Sequence, residues 1–355
     1  MKQRNAENRN LEKMPVFSLN KTRQAKNVLD GILGIYKDVM IYKNKFHTYY
    51  EDRFVLKYIL FENYKTIQRG VFAQQPIPQK VVEGTDGWMF LGNSYSNDIA
   101  ESKGIKVFTE KEIIKIKTNL LNQKEWLDKK GIHYYVAIAP NKLSVYGEYL
   151  AIKRSEKKTK REQLIEAMNT TALPLIDMTA LLRKTDDTIL YEKTGSHWND
   201  LGAFYGYKTL INRIHKDYPE IVPLELKDFN RIPKITYQED LIKMLNESRL
   251  EKQISLTAKY PEASKQVASQ LSISPYYNKL PQDYEKRYKS NVNRLKVVMF
   301  RDSFSSAMLK YVKENFGEVV FVWSDRFDKE LIETEKPDIV IQEVVEREVD
   351  VFLRE

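Results

Sequence analysis

Cysteine is absent from the 355 residues, which excludes disulfides and every thiolate metal site. Histidine is scarce, at four, too few for a His-rich metal centre. No stretch approaches the ~18 to 20 apolar residues that a bilayer-crossing helix needs, and residues 1–28 are too polar for a signal peptide. A chain without cysteine is compatible with a place outside the cytoplasm but does not require one. Internal repeats are missing too, and no basic run is interleaved with stacking aromatics, so nucleic acid is not an expected partner.

Apolar residues make up 42% of the chain and the aromatics include 22 Tyr and 15 Phe, which argues against disorder and for one large α/β domain or two modest ones. The formal charge of +9 is spread over runs such as 153–161 and 285–294. Such a surface is solvated in most proteins, and it also attracts an acidic polysaccharide or an anionic membrane face.

Polar residues 1–28 read as an arm. Apolar and aromatic positions at helical spacing follow, through Val39, Tyr42, Phe46, Tyr49, Leu56, Ile59 and Leu60, and residues 1–75 are expected to form an arm with a helical region. Pro76 and Pro78 interrupt the pattern, and residues 81–91 predict a hairpin into the main domain, residues 76–355. Thr109 with Glu112 forms a capping-box signature for a helix that Gly131 should stop. The run 132–139 then suits a strand buried on both faces. Helix and buried strand alternate again over 160–177, with the strand expected at 173–177, and over the last 60 or so residues, with strands at 296–300, 319–323 and 338–343 and helices at 304–316 and 328–334. That rhythm predicts a mostly parallel sheet. Residues 218–294 break it and are expected to be an insertion or cover beside the cleft, without a strong buried strand.

Two residues stand out chemically. Ser303 follows the buried run 297–300 and precedes a helix, the carboxyl edge at which open α/β sheets place ligands and nucleophiles. A serine before a helix is also a common N-cap. His197 lies in the polar turn Thr194-Gly195-Ser196-His197-Trp198-Asn199, where an imidazole with a near-neutral pKa suits a general base. Asn141 and Lys142 follow a buried strand on the expected Ser303 edge and, with Arg301, are candidates to hold an oxyanion or an acidic sugar. Trp88, Trp198 and Trp323 offer faces for sugar stacking, although tryptophan is more often core.

The segments Asp86-Gly87-Trp88-Met89-Phe90, Ala139-Pro140-Asn141-Lys142-Leu143, Thr194 to Ala203, Phe300-Arg301-Asp302-Ser303-Phe304, Phe321-Val322-Trp323, Glu335-Lys336-Pro337-Asp338 and Glu343-Val344-Val345-Glu346-Arg347 occur in that order. Together they resemble the alginate O-acetyltransferase family, SGNH-hydrolase-like domains of the AlgJ and AlgX type, from about residue 80 onward. The resemblance implies a three-layer α/β/α sandwich with a mostly parallel sheet and a permuted motif order, since His197 precedes Ser303. It also implies Ser303 as nucleophile, His197 as base and no bound cofactor or metal. The implied reaction is acetyl transfer onto polysaccharide hydroxyls, with the acetyl group supplied by a membrane-bound acyltransferase, which places the domain outside the cytoplasm, secreted or held by a membrane tether upstream of this chain. Where the family motif is Asp-x-His-Trp, this chain has Gly195. An Asp there fixes the imidazole tautomer and stabilises its cation, which a glycine cannot do. Three readings stay open: Asp200 or Asp302 orients the ring, a Ser-His dyad works alone, or the domain binds polysaccharide without catalysis. A carbohydrate esterase using water is a further alternative.

Overall fold

The computed structural model describes residues 13–53, 56–183, 189–268 and 284–354. Residues 1–12 of the expected arm and 269–283 of the expected cover lie outside them. By its contacts the chain divides into two units, Gln79–Glu239 with Arg249–Glu355, and Met1–Pro78 with Asp240–Ser248.

The larger unit carries the strands β1 (Val81–Glu83), β2 (Met89–Leu91), β3 (His133–Ala139), β4 (Ile176–Asp177), β5 (Phe229–Thr236), β6 (Glu251–Ala258), β7 (Lys265–Val267), β8 (Glu285–Lys289), β9 (Lys296–Arg301), β10 (Glu318–Trp323) and β11 (Ile339–Val345). Among the described residues seven of them form one sheet in the order β4-β3-β11-β9-β10-β8-β7. The first five run parallel, and β8 and β7 join antiparallel at one edge.

Successive side chains on a strand face opposite ways, and the core is split accordingly. Val297, Met299, Ile339, Ile341, Val319 and Phe321 belong to one apolar cluster, together with Leu201, Phe204, Tyr207 and Ile211 of helix Asp200–His215. Val298, Phe300, Val340, Val320 and Val322 belong to another, with Ile116, Leu120 and Leu127 of helix Glu110–Asp128 and Leu331 and Ile332 of helix Lys329–Glu335. The domain is therefore a three-layer α/β/α sandwich. Its central strands are apolar on both faces because both faces are covered.

Local chemistry sets the ends of these elements. Thr109 and Glu112 close the capping box reciprocally, and Gly131 turns the chain at φ 71°, a left-handed value that glycine adopts without steric cost. Asp328 caps its helix by accepting from the Leu331 N–H at 3.0 Å.

The structure departs from the sequence reading in three places. The strand expected over 173–177 shrinks to Ile176–Asp177. Residues 218–294 contain β5 to β8, with β5 and β6 as an eight-residue antiparallel ribbon and β7 and β8 extending the main sheet. Finally, the helix expected over 304–316 breaks into a 3-10 turn Phe304–Ala307, a short α-helix Leu309–Val312 and a 3-10 turn Lys313–Asn315. Ser306 N–H bonds Ser303 O at 3.1 Å and Met308 N–H bonds Ser305 O at 2.8 Å, three residues back. The Ser303, Ser305 and Ser306 hydroxyls are instead bonded to the side chains of His197, Glu343 and Arg301.

The smaller unit has helices Val28–Arg53 and Lys57–Gly70, within the stretch where periodicity predicts helix, and a short helix Asp240–Met244. Buried Lys65 donates to Leu245 O at 2.7 Å and Glu247 Oε1 at 3.1 Å. These bonds tie residues from inside the expected cover to the N-terminal helices. Among the described residues no helix is long and apolar enough to cross a membrane.

Candidate active site

Because β3, β9 and β11 are parallel, their exits at Pro140, Asp302 and Glu346 share one edge of the sheet. Ser303 sits there, half-buried, with helical backbone (φ −69°, ψ −27°). The turn is held by Asp302, whose Oδ1 accepts from Phe304 N–H at 2.8 Å and whose Oδ2 accepts from Val345 N–H at 2.6 Å. Arg301, 2% exposed, bonds Asp302 O at 3.1 Å and Ser306 Oγ at 2.9 Å from the same Nη1.

His197 reaches this edge on a different device. Residues 190–199 fold back on themselves: Tyr191 bridges Trp198 antiparallel, Glu192 N–H bonds His197 O at 3.0 Å, and Asn199 N–H bonds Leu190 O at 2.9 Å. Asn199 then caps helix Asp200–His215 through the N–H groups of Leu201 and Gly202, at 3.1 and 3.0 Å. The turn is clamped from two sides. Lys142 Nζ donates to the carbonyls of Glu192, Lys193 and Gly195 at 2.8, 3.2 and 2.5 Å. Glu251 on β6 accepts from Lys193 N–H at 2.6 Å, and from Thr194 N–H and Oγ1 at 2.9 and 2.6 Å.

These two supports bring His197 Nε2 to 2.9 Å from Ser303 Oγ. Trp198 joins the supports directly, its Nε1–H donating to Phe304 O at 2.9 Å. The Phe304 ring lies 4.9 Å from the His197 ring and 5.1 Å below the Arg347 guanidinium. Both reacting side chains are half-buried, so a substrate can meet them. On the far side of the imidazole, Ser196 Oγ is 3.1 Å from Nδ1. With Nε2 facing the serine as acceptor, Nδ1 carries the ring proton.

The other candidates have different work. Asp200 does not orient the ring: its Oδ2 is taken by Ser255 Oγ, Leu256 N–H and Lys310 Nζ at 3.1, 2.7 and 2.5 Å, and its Oδ1 by Tyr311 at 3.2 Å. Asp302 is occupied by the two backbone N–H groups above and builds the serine turn. Asn141, 0% exposed, donates its backbone N–H to Glu346 Oε2 at 2.9 Å and its Nδ2–H to Ser102 Oγ at 3.0 Å. Lys142 is spent on loop carbonyls, and Arg301 on the serine turn. None of the last three is presented to an oxyanion or a sugar, because each is buried on protein acceptors. Trp88 and Trp198 are 1% and 2% exposed, so neither stacks on a ligand. Trp323 has a face covered by the Arg301 guanidinium at 4.3 Å.

Glu192 and Glu251 lie outside every motif the sequence reading singles out, and Phe304, Glu343 and Arg347 stand there only as motif positions with no role assigned. Glu343 on β11 is buried beneath the serine turn, its Oε2 accepting from Ser305 Oγ at 2.5 Å and from Asp302 N–H at 3.3 Å. Burial, and then the charge of Asp302, pushes its carboxyl well above the ordinary range. Asp302 is raised as well, by burial, against the lowering effect of its two N–H donors. Burial thus favours the neutral form of the Glu343 carboxyl.

A carboxyl whose pKa rises on folding stabilises the fold fully below the unfolded value, about 4.3 for Glu, and less as pH climbs toward the folded value. Glu343→Gln is expected to remove that slope. In thermal melts at about pH 5 and about pH 8 the variant should gain on the wild type at the higher pH, by roughly 1.4 kcal/mol per pH unit crossed. Melting curves that keep a constant offset would show that Glu343 is ionised in the native state.

Residues 81–276 match the model of the SGNH hydrolase-like domain, acetyltransferase AlgX, more than half of the chain. The chain belongs to that family. The match includes the His197 turn and ends before Ser303. Among solved structures, Bacillus cereus PatB1 with a sulfonyl adduct aligns at TM-score 0.57 and 16% identity, over 77% of this chain and 97% of that one. A DHHW family protein from Eubacterium siraeum aligns at TM-score 0.51 and 12% identity, over 78% and 98%. At these identities the alignments speak for the fold. No curated protein matches the chain. The family membership makes this an O-acetyltransferase-like SGNH domain.

Proposed function

We propose that the protein is a polysaccharide O-acetyltransferase working through Ser303 and His197. The observation that carries this reading is the 2.9 Å contact of His197 Nε2 with Ser303 Oγ at the carboxyl edge of the sheet, in a family of acetyltransferases. His197 Nε2 takes the hydroxyl proton as Oγ bonds the acetyl carbon of a donor, and the donor's leaving group departs with that proton. A sugar hydroxyl then gives its proton to His197 and attacks the acetyl carbon. The Oγ–C bond breaks and Ser303 recovers its proton. The AlgX family name and the +9 charge support an anionic polysaccharide as acceptor. In this reading the donor is a membrane-bound acyltransferase and the domain works outside the cytoplasm, tethered or secreted.

The test offers the purified chain an activated acetyl ester, with and without an acidic polysaccharide, and follows Ser303 by peptide mass spectrometry. Acetyl on Ser303 that is chased onto glycan, and is lost in Ser303→Ala, is expected. Acetyl passing to water at an equal rate with glycan present would mark an esterase. Glycan binding with no Ser303 acetylation would mark a binding protein, and either result overturns the proposal.

A further inference from the structure

The turn that carries His197 has no room for the family's aspartate because another carboxylate is already there. A Cβ built on Gly195 would lie 1.9 Å from Glu192 Oε2 and 3.0 Å from Glu192 Cβ and Cδ. The space that an Asp side chain at 195 would enter is the space that the Glu192 carboxylate fills. The backbone explains why residue 192 can do this. Pairing of Glu192 N–H with His197 O and of Tyr191 with Trp198 sets Glu192 across the turn from His197, and side chains at such opposed positions are close neighbours. A Glu192 carboxylate oxygen and a His197 ring nitrogen lie within 4.8 Å of each other.

We infer that Glu192 supplies the negative charge that the family places at residue 195, so that the triad of this chain is Ser303, His197 and Glu192, its carboxylate moved three positions along the turn. The inference rests on the Ser303–His197 reading above. Ser196 Oγ, 3.1 Å from Nδ1, accepts the ring proton but carries no charge to offset the imidazolium that forms when Ser303 is deprotonated. Glu192 carries it. The glutamate side chain is one methylene longer than aspartate, which suits a carboxylate arriving from the opposite arm of the turn. Lys142, bonded to the Glu192, Lys193 and Gly195 carbonyls, keeps that arm in place. Glu192 and Gly195 are then a matched pair: the glycine leaves the volume that the glutamate needs. Glu192 is a positioning residue, acting on Ser303 through His197.

The experiment moves the carboxylate back. Glu192→Gln keeps the shape and removes the charge, and it is expected to lower kcat for acyl transfer by roughly 10²- to 10⁴-fold with KM little changed, the scale of losing the orienting carboxylate in serine hydrolases. Glu192→Ala should lose as much, and the double variant Glu192→Ala with Gly195→Asp should recover to within about tenfold of wild type, an outcome that a packing role for Glu192 would not produce. A proton spectrum in water adds a readout independent of turnover: the imidazole Nδ1–H resonance of the wild type should move upfield in Glu192→Gln. Full activity and an unmoved resonance in Glu192→Gln would overturn the inference, as would a folded double variant no faster than Glu192→Ala. If the double variant does not fold, the comparison of Glu192→Gln with wild type decides alone. Ser303→Ala in parallel separates the two claims, because activity surviving that change defeats the Ser-His reading itself whatever Glu192 does.

Discussion

Replacing His197 with alanine is expected to cut acyl transfer by about 10⁴- to 10⁶-fold while leaving the domain folded. The reason is geometric. Among the described residues the base that Ser303 Oγ meets is His197 Nε2, and a serine hydroxyl without a base is a poor nucleophile at neutral pH. The structural cost is smaller, because the ring is half-buried, packs on Phe304 and bonds the hydroxyls of Ser303 and Ser196, a loss on the order of 1–2 kcal/mol. Rates with an activated acetyl ester, read beside a thermal melt of the same preparation, check both halves. A variant that keeps a tenth or more of the wild-type rate would show that some other group takes the Ser303 proton.

The second large effect concerns stability. Lys142→Met preserves length and apolar contact but removes the donor shared by the carbonyls of Glu192, Lys193 and Gly195. Lys142 is 4% exposed, so water does not readily replace the lost bonds, and each orphaned buried carbonyl costs about 1–3 kcal/mol. Three of them together are expected to lower stability by roughly 3 kcal/mol or more, a fall in Tm on the order of 6–12 °C for a domain of this size. Activity should fall with it, since the turn that aims His197 loses one of its two clamps. A melt within about 2 °C of wild type would show that those carbonyls find other donors.

Some of this was legible in the sequence for plain physical reasons. Strands β3, β9, β10 and β11 are apolar without alternation because both of their faces are buried, and the capping box at Thr109 and the stop at Gly131 are local chemistry. The apposition of Ser303 and His197 followed from their places at sheet exits and helix starts, weighted by the family motifs. The strands of 218–294 were hidden for the opposite reason. β5 is largely exposed along its length, so it carries no apolar signature. β8 reads Glu-Lys-Arg-Tyr-Lys, with Arg287 buried by ion pairs to Glu285, Glu318 and Glu335, contacts that no local pattern announces. The sequence points to helix starts, at Asp200 and Asp302, for a carboxylate beside His197, whereas the turn presents Glu192 from its opposite arm. The antiparallel fold-back of Leu190 and Tyr191 on Trp198 and Asn199 is the signal that would have found it. Lys142, Asn141, Arg301, Trp88 and Trp198 have the chemistry of ligand-binding residues, and only burial shows that they bind the protein itself.

The bond from Trp198 to the Phe304 carbonyl has a consequence for how this centre tolerates motion. It ties the residue after the base to the residue after the nucleophile, so the two halves drift together when the surrounding loops breathe. The gap across which a proton must hop is thereby spanned by a bond between the two turns as well as by the turns themselves.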